Sequence, residues 1–147
     1  MINHLTWLLD WDTGDLCLDA QGNIAVAAAP YSIAQDVATA LSTFLGECWY
    51  DNSLGVPYWQ GILGKRPPAS YLVAQFEAQA LLVPDVATAQ ASIGGINKQR
   101  GLISQIVVTD TDGNTITLMG GAAAGRLGVL ATNQGSPITI GGLYIEI

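Results

Sequence analysis

Apolar positions along this chain come first in short runs, then recur at helical spacing, then return to strand-like runs. Leu5–Leu9 is a short apolar run that reads as a strand or arm. Cys17–Asp19 and Ile24–Ala27 flank Ala20-Gln21-Gly22-Asn23, and strand-like runs around such a turn predict a hairpin. Pro30 and Tyr31 close that unit. Ser32 and Gln35 then have the spacing of a capping box, in which the hydroxyl accepts a helical N–H and the amide reaches back. Ile33, Val37, Leu41, Phe44 and Leu45 follow on one helical face, so a helix is predicted over 33–45, stopping at Gly46.

Residues 46–68 interrupt the pattern, with Trp49, Tyr50, Tyr58 and Trp59 set among Gly55, Pro57, Gly61, Gly64, Pro67 and Pro68. Pro57 suits the start of a short helix that Gly64 ends. The Pro67-Pro68 pair cannot continue a helix but can open one. Leu72, Val73, Phe76, Ala80 and Leu81 make a second apolar stripe over Ala69–Leu82, closed by Pro84.

Beyond Pro84 the period shortens. Val86–Ile93 reads as a strand, Gly94–Gly101 as a turn and Leu102–Thr109 as a strand. Asp110–Asn114 reads as a hairpin turn and Thr115–Met119 as its second strand. Gly120–Gly128 reads as flexible, and Leu127–Ala131 and Ile138–Ile147 as further strands. Strands that follow two helices predict an α+β fold: two main helices on a small antiparallel or mixed sheet, with a Gly-rich β extension at the C-terminus. The expected division is an α+β domain over 1–119 and a Gly-rich β tail over 120–147, packed on the domain or on a neighbour.

Charge narrows the function classes. The chain of 147 residues carries a net charge of −7, and half of it is hydrophobic (50%). Residues 1–64 hold seven acids and no Lys or Arg, whereas residues 65–147 hold five of each sign. Phosphate backbones demand clustered Lys and Arg, so nucleic acid is not an expected partner. No apolar stretch is long enough for a membrane span, and the N-terminus lacks the basic start of a signal peptide. Sparse charge with much Ala, Gly, Thr and Gln suits protein contacts instead. Cys17 and Cys48 read as small buried residues of a reducing compartment, although one bridge between them remains open.

Candidate chemistry is thin. His4 is the one histidine, near a terminus, so His-based nucleophilic catalysis and zinc binding have little to stand on. Asp110-Thr111-Asp112-Gly113-Asn114 looks like half a calcium loop, but Gly121 stands where the loop's final acid belongs. Asp10, Asp12 and Asp15 read as solvated turn carboxylates. Gly120-x4-Gly125-Arg126-Leu127 lacks the Lys and Ser/Thr of a phosphate-binding loop. Neither a metal nor a cofactor is expected, and no catalytic residue is assigned. The enzymatic alternative is polysaccharide hydrolysis using Glu47 and Asp51 as paired carboxylates. The aromatic residues read instead as interface or core anchors.

The run DVATALSTFLGECWYDNSLGVPYWQGILGKRPP resembles the contractile-tail phage baseplate wedge family, which includes the sheath-initiating wedge subunit and tail-assembly proteins of Mu-like and P2-like phages. The likeness covers roughly Leu16 to Ile93. It is most specific in DLCLDAQGNIAVA, in SIAQDVATAL and in the GECWYD…GVPYW..ILG.RPP block. It implies a non-enzymatic subunit of the virion tail baseplate, assembled in the host cytoplasm. Its implied partners are other baseplate wedge proteins, tail tube or hub proteins and the sheath protein. Many relatives carry Glu-Pro-Arg after the second helix; here the matching positions are Val83-Pro84-Asp85, so only the proline is kept. The interface candidates are Trp49, Tyr50, Tyr58 and Trp59 in the connector, and Ile138, Ile140, Tyr144 and Ile145 in the last strand. That strand pairs either within the domain or with another subunit. In that setting the enzymatic alternative is a tail-associated peptidoglycan hydrolase, and a generic assembly chaperone is a third reading.

Overall fold

The computed structural model describes residues 5–10, 13, 15–96, 102–121, 126–133 and 136–143, with side chains described up to residue 118 except at 96, 102 and 103. Two antiparallel sheets and two α-helices make up the fold. The first sheet pairs β1 (Leu5–Trp7) with β2 (Val26–Ala28), Trp7 opposite Val26. Helices α1 (Tyr31–Ser42) and α2 (Ala69–Ala80) follow, joined by a connector that holds a π-helical turn at Tyr58–Ile62. The second sheet is an antiparallel meander of β3 (Val86–Ile96), β4 (Leu102–Asp110), β5 (Thr115–Gly121), β6 (Arg126–Asn133) and β7 (Ser136–Leu143), in that spatial order.

One core holds these layers together. From α1 come Ile33, Val37 and Leu41; from the connector Val56, Tyr58 and Ile62; from α2 Leu72, Phe76 and Ala80. They meet Ile106 and Val108 of β4 and Ile116 and Leu118 of β5, all buried. Register explains the shared face: Ile106 lies opposite Leu118 and Val108 opposite Ile116. The alternate residues, among them Gln90, Val107, Thr109 and Thr117, point to the other side. The α+β fold expected from the sequence is therefore present, with an antiparallel sheet.

Several local expectations are corrected. The Ser32/Gln35 capping box does not form, because the helix starts at Tyr31 behind Pro30 and Ser32 is already inside its first turn. Gln35 is buried and turns to β1, where its amide donates to the Trp7 carbonyl at 2.7 Å and accepts from the Leu9 N–H at 3.1 Å. It thus does for the outer edge of β1 what a neighbouring strand would do. Helix α1 also ends at Ser42 rather than 45. Thr43 donates its N–H to Thr39 and turns extended, and its carbonyl accepts the Val56 N–H at 2.8 Å. Leu45 N–H donates to the Val56 carbonyl, so Thr43–Leu45 runs as a strand-like segment beside Val56.

In the second sheet, β3 continues through the expected turn to Ile96, with a register shift between Ile93 and Gly95 and Gly95 at φ 133. A bulge of this kind uses the conformational freedom of glycine. The supposedly flexible Gly120–Gly128 stretch is largely strand. Gly120 pairs with Ser104 and Leu127, and Gly128 with Met119, since a missing side chain does not prevent the backbone ladder. Residues 122–125 lie outside the described residues.

Gln35→Ala leaves the Trp7 carbonyl and Leu9 N–H unpaired in a partly buried site, so it is expected to cost about 2–3 kcal/mol. Gln90→Ala, on an exposed position of β3, is expected to change stability by less than about 0.5 kcal/mol. Urea unfolding of both variants checks this, with faster amide exchange at Leu9 as the local signature of the first.

Candidate interaction surfaces

The connector sorts its aromatic rings by depth. Gly55, at φ 105, lets the chain fold back on itself: a Cβ there would lie 2.6 Å from the Phe44 carbonyl carbon. Its N–H donates to Gln79 Oε1 of α2 at 3.2 Å, which ties the loop to the second helix. The returning chain drops Tyr58 into the core with 1% exposure, its hydroxyl donating to the Leu41 carbonyl at 2.5 Å. Burial pushes the Tyr58 phenol well above its usual range, so it stays a donor. Phe44 meets both Tyr58 and Trp59 at tilted angles, with ring centroids 4.8 and 5.6 Å away. Gly61 lies close to α2 beside them: a Cβ there would meet the Tyr71 hydroxyl at 2.7 Å.

Trp59 itself stays largely exposed, as do Trp49 at 89% and Tyr50. Trp49 and Tyr50 meet edge to face at 5.8 Å. Tyr50 also borders a half-open groove of about 380 Å³ between α1, the connector and the end of α2, walled by Asp36, Cys48, Leu54, Leu82 and Pro84. Of the connector candidates, then, Trp49, Tyr50 and Trp59 face outward, whereas Tyr58 packs the connector from within. Ile138 and Ile140 lie in β7, the last strand of the sheet, opposite Ala131 and Val129. Tyr144 and Ile145 lie outside the described residues.

The chemical lures resolve into turns. Asp51 accepts the Ser53 N–H and hydroxyl, and these bonds hold its carboxyl below the usual range. Such a group is an ionised turn carboxylate, so the shielded acid that glycoside cleavage needs would have to be Glu47. Glu47 is exposed, and neither it nor Asp51 lines the groove. Both cysteines are free thiols. Among the described residues no three His, Cys, Asp or Glu side chains converge as metal ligands, and no helix is long and apolar enough to cross a membrane.

Asp110 and Asp19 begin the same device, Asp-x-x-Gly-Asn, which the sequence displays twice. In each, the Asp carboxylate accepts backbone N–H groups two and four residues on and the Asn side-chain amide. Gly22 and Gly113 both sit at φ 85. These carboxylates are spent on closing hairpins, which accounts for the calcium-like spelling without calcium. At Val83-Pro84-Asp85, Val83 is buried and Asp85 adopts φ 65 while its carbonyl accepts the Thr111 N–H at 3.0 Å. Val83-Pro84-Asp85 thus forms a tight packing turn from α2 into β3.

Asp110 is 2% exposed, so Asp110→Ala strands several donors and is expected to cost about 2–3 kcal/mol by denaturant unfolding. Asp19→Ala, in an exposed hairpin, should cost clearly less. Backbone N–H bonds from Asn23 lead in lowering the Asp19 pKa from 3.8, so its contribution is present at neutral pH and is lost as pH falls through the lowered folded value. A carboxyl NMR titration should find the Asp19 midpoint below 3.8.

No curated protein matches the chain at a significant level. Residues 5–113 match a family described as the contractile injection system sheath initiator. That span runs from β1 to the β4–β5 turn and so takes in both helices, the connector and the groove. The family's role is structural and not catalytic, which overturns the paired-carboxylate hydrolase. With most of its length matched, this chain belongs to the contractile injection system sheath initiator family.

Proposed function

We propose that this chain sits in a phage tail baseplate, joins wedge units around the tail tube and seeds the first ring of sheath. The observation that carries the reading is the family match over 5–113. The sheet edges support it. At β3, the Ala91 N–H is taken by Glu77 Oε1 of α2 at 2.9 Å, and register shifts near both ends of the strand bend that edge. At the other edge is β7, and among the described residues no strand pairs beyond it. Strand exchange with a sheath subunit would therefore use β7, with Ile138 and Ile140, in the 120–147 extension. Trp49, Tyr50 and Trp59 would pack against neighbouring baseplate or tube proteins, with Tyr58 holding the connector in shape. Assembly would take place in the host cytoplasm and end in the virion.

Deleting the encoding gene is expected to leave tubes and baseplates without extended sheath, and the full chain supplied in trans should restore it. A chain ending at residue 135 should enter the baseplate yet fail to start sheath. Sheath forming at its normal rate without the chain contradicts the reading. Mass spectrometry of purified particles separates it from the chaperone alternative, which requires the chain to be missing from the finished tail.

A further inference from the structure

The N-terminal sheet carries an outer face that the seeding reading does not use. Cross-strand pairs put Trp7 beside Val26, Leu5 beside Ala28, Leu18 beside Ile24 and Leu9 beside Leu16. Strand alternation then sets Leu5, Trp7, Leu16, Leu18, Ile24 and Val26 on one side. All of them are exposed, Leu18 to 69%. The opposite side is different. Ala27 is buried, Ala25 and Cys17 are half-buried, and α1 packs against β1 and β2. The outer face therefore leaves on the order of 600 Å² of large apolar side chains in water, the upper end of what a monomer's largest patch shows.

Its border is acidic. Asp15 and Asp19 sit in the turns at the two ends of Leu16–Leu18, so carboxylates flank the apolar rows there. Hydrogen bonds fix them in place: Asp15 accepts from the Leu16 N–H, and Asp19 from Gln21 and Asn23. Residues 1–64 hold no Lys or Arg to neutralise them. A second copy of the same face would bring apolar surface but no counter-charge, and would set acid near acid. A partner with apolar residues flanked by Lys or Arg answers both features.

We propose that the outer face of the β1–β2 sheet and its hairpin is a docking surface for a different protein chain, one that presents an apolar strand or segment flanked by Lys or Arg. The acidic border selects the partner, and the Leu, Ile, Val and Trp side chains supply the buried area. This surface is separate from β7 and stands whether or not β7 exchanges a strand.

Two synthetic peptides with the same alternating leucines, one flanked by Lys and the other by Glu, test it against the purified full chain by fluorescence anisotropy. The Lys peptide is expected to bind about tenfold or more tightly than the Glu peptide, and to weaken as salt rises. Leu18→Ser/Val26→Ser should weaken it by about tenfold with the melting temperature unchanged, while Trp49→Ser leaves it unaltered. Asp15→Asn keeps the acceptor for the Leu16 N–H and should shrink the preference for Lys, so the charge arm survives if the double variant does not fold. Equal affinity for the two peptides, no binding, or binding indifferent to the Leu18 and Asp15 changes overturns the proposal. So does a dimer of the free chain in sedimentation that Leu18→Ser abolishes, because the face would then belong to a second copy.

Discussion

Backbone N–H and C=O groups removed from water must find partners, and in this fold the two helices provide partners that strands alone do not. Gln35 of α1 serves the edge of β1, Glu77 of α2 serves the edge of β3, and Gln79 of α2 serves the loop at Gly55. Each of these side chains leaves a helix whose other face is buried in the common core. The helices therefore do two things at once. Their Ile33, Val37, Leu41, Leu72 and Phe76 bury apolar surface, and their amide and carboxylate groups close strand edges that would otherwise pair with other chains.

This arrangement separates the surfaces that are shut from those that are open. Side chains of the helices cap the edges of β1 and β3, while the apolar rows of the N-terminal sheet and the rings of Trp49, Tyr50 and Trp59 remain in water. Isolated exposed hydrophobics are ordinary; grouped ones on a rigid support are not. The low charge of the chain fits the same picture, since large protein contacts exclude most charges from their centres. A structural member of a contractile injection system needs such surfaces more than it needs a cleft with tuned acids.

Much of the fold was legible in the order of residues. Helix α2 was readable because Pro67-Pro68, the Leu72/Phe76/Ala80 stripe and Pro84 all agree. The β4–β5 hairpin was readable because Asp110-x-x-Gly113-Asn114 spells its own turn chemistry. Other features depended on partners far along the chain. Nothing near Gln35 says that its amide will serve Trp7 and Leu9 rather than the helix start. Nothing near Thr43 says that Val56 will draw it out of the helix. Tyr58 and Trp59 are adjacent and alike in sequence, and only the π-helical turn decides that one is buried and the other exposed. The outer face of the N-terminal sheet escaped notice for a related reason. Leu, Ile, Val, Ala and Cys on both sides of the strands hide the alternation that a half-buried sheet usually displays.

The central claim is that this chain works through surfaces held by a rigid core inside an assembled contractile tail. A cryo-EM map of the intact tail base measures it most directly. The account predicts the chain beside the tube under the first sheath ring, with Trp49, Tyr50 and the Trp7/Leu18/Val26 face all covered by neighbouring proteins. A map in which those side chains remain solvent-exposed, or in which the chain occupies no position in the tail base, contradicts it.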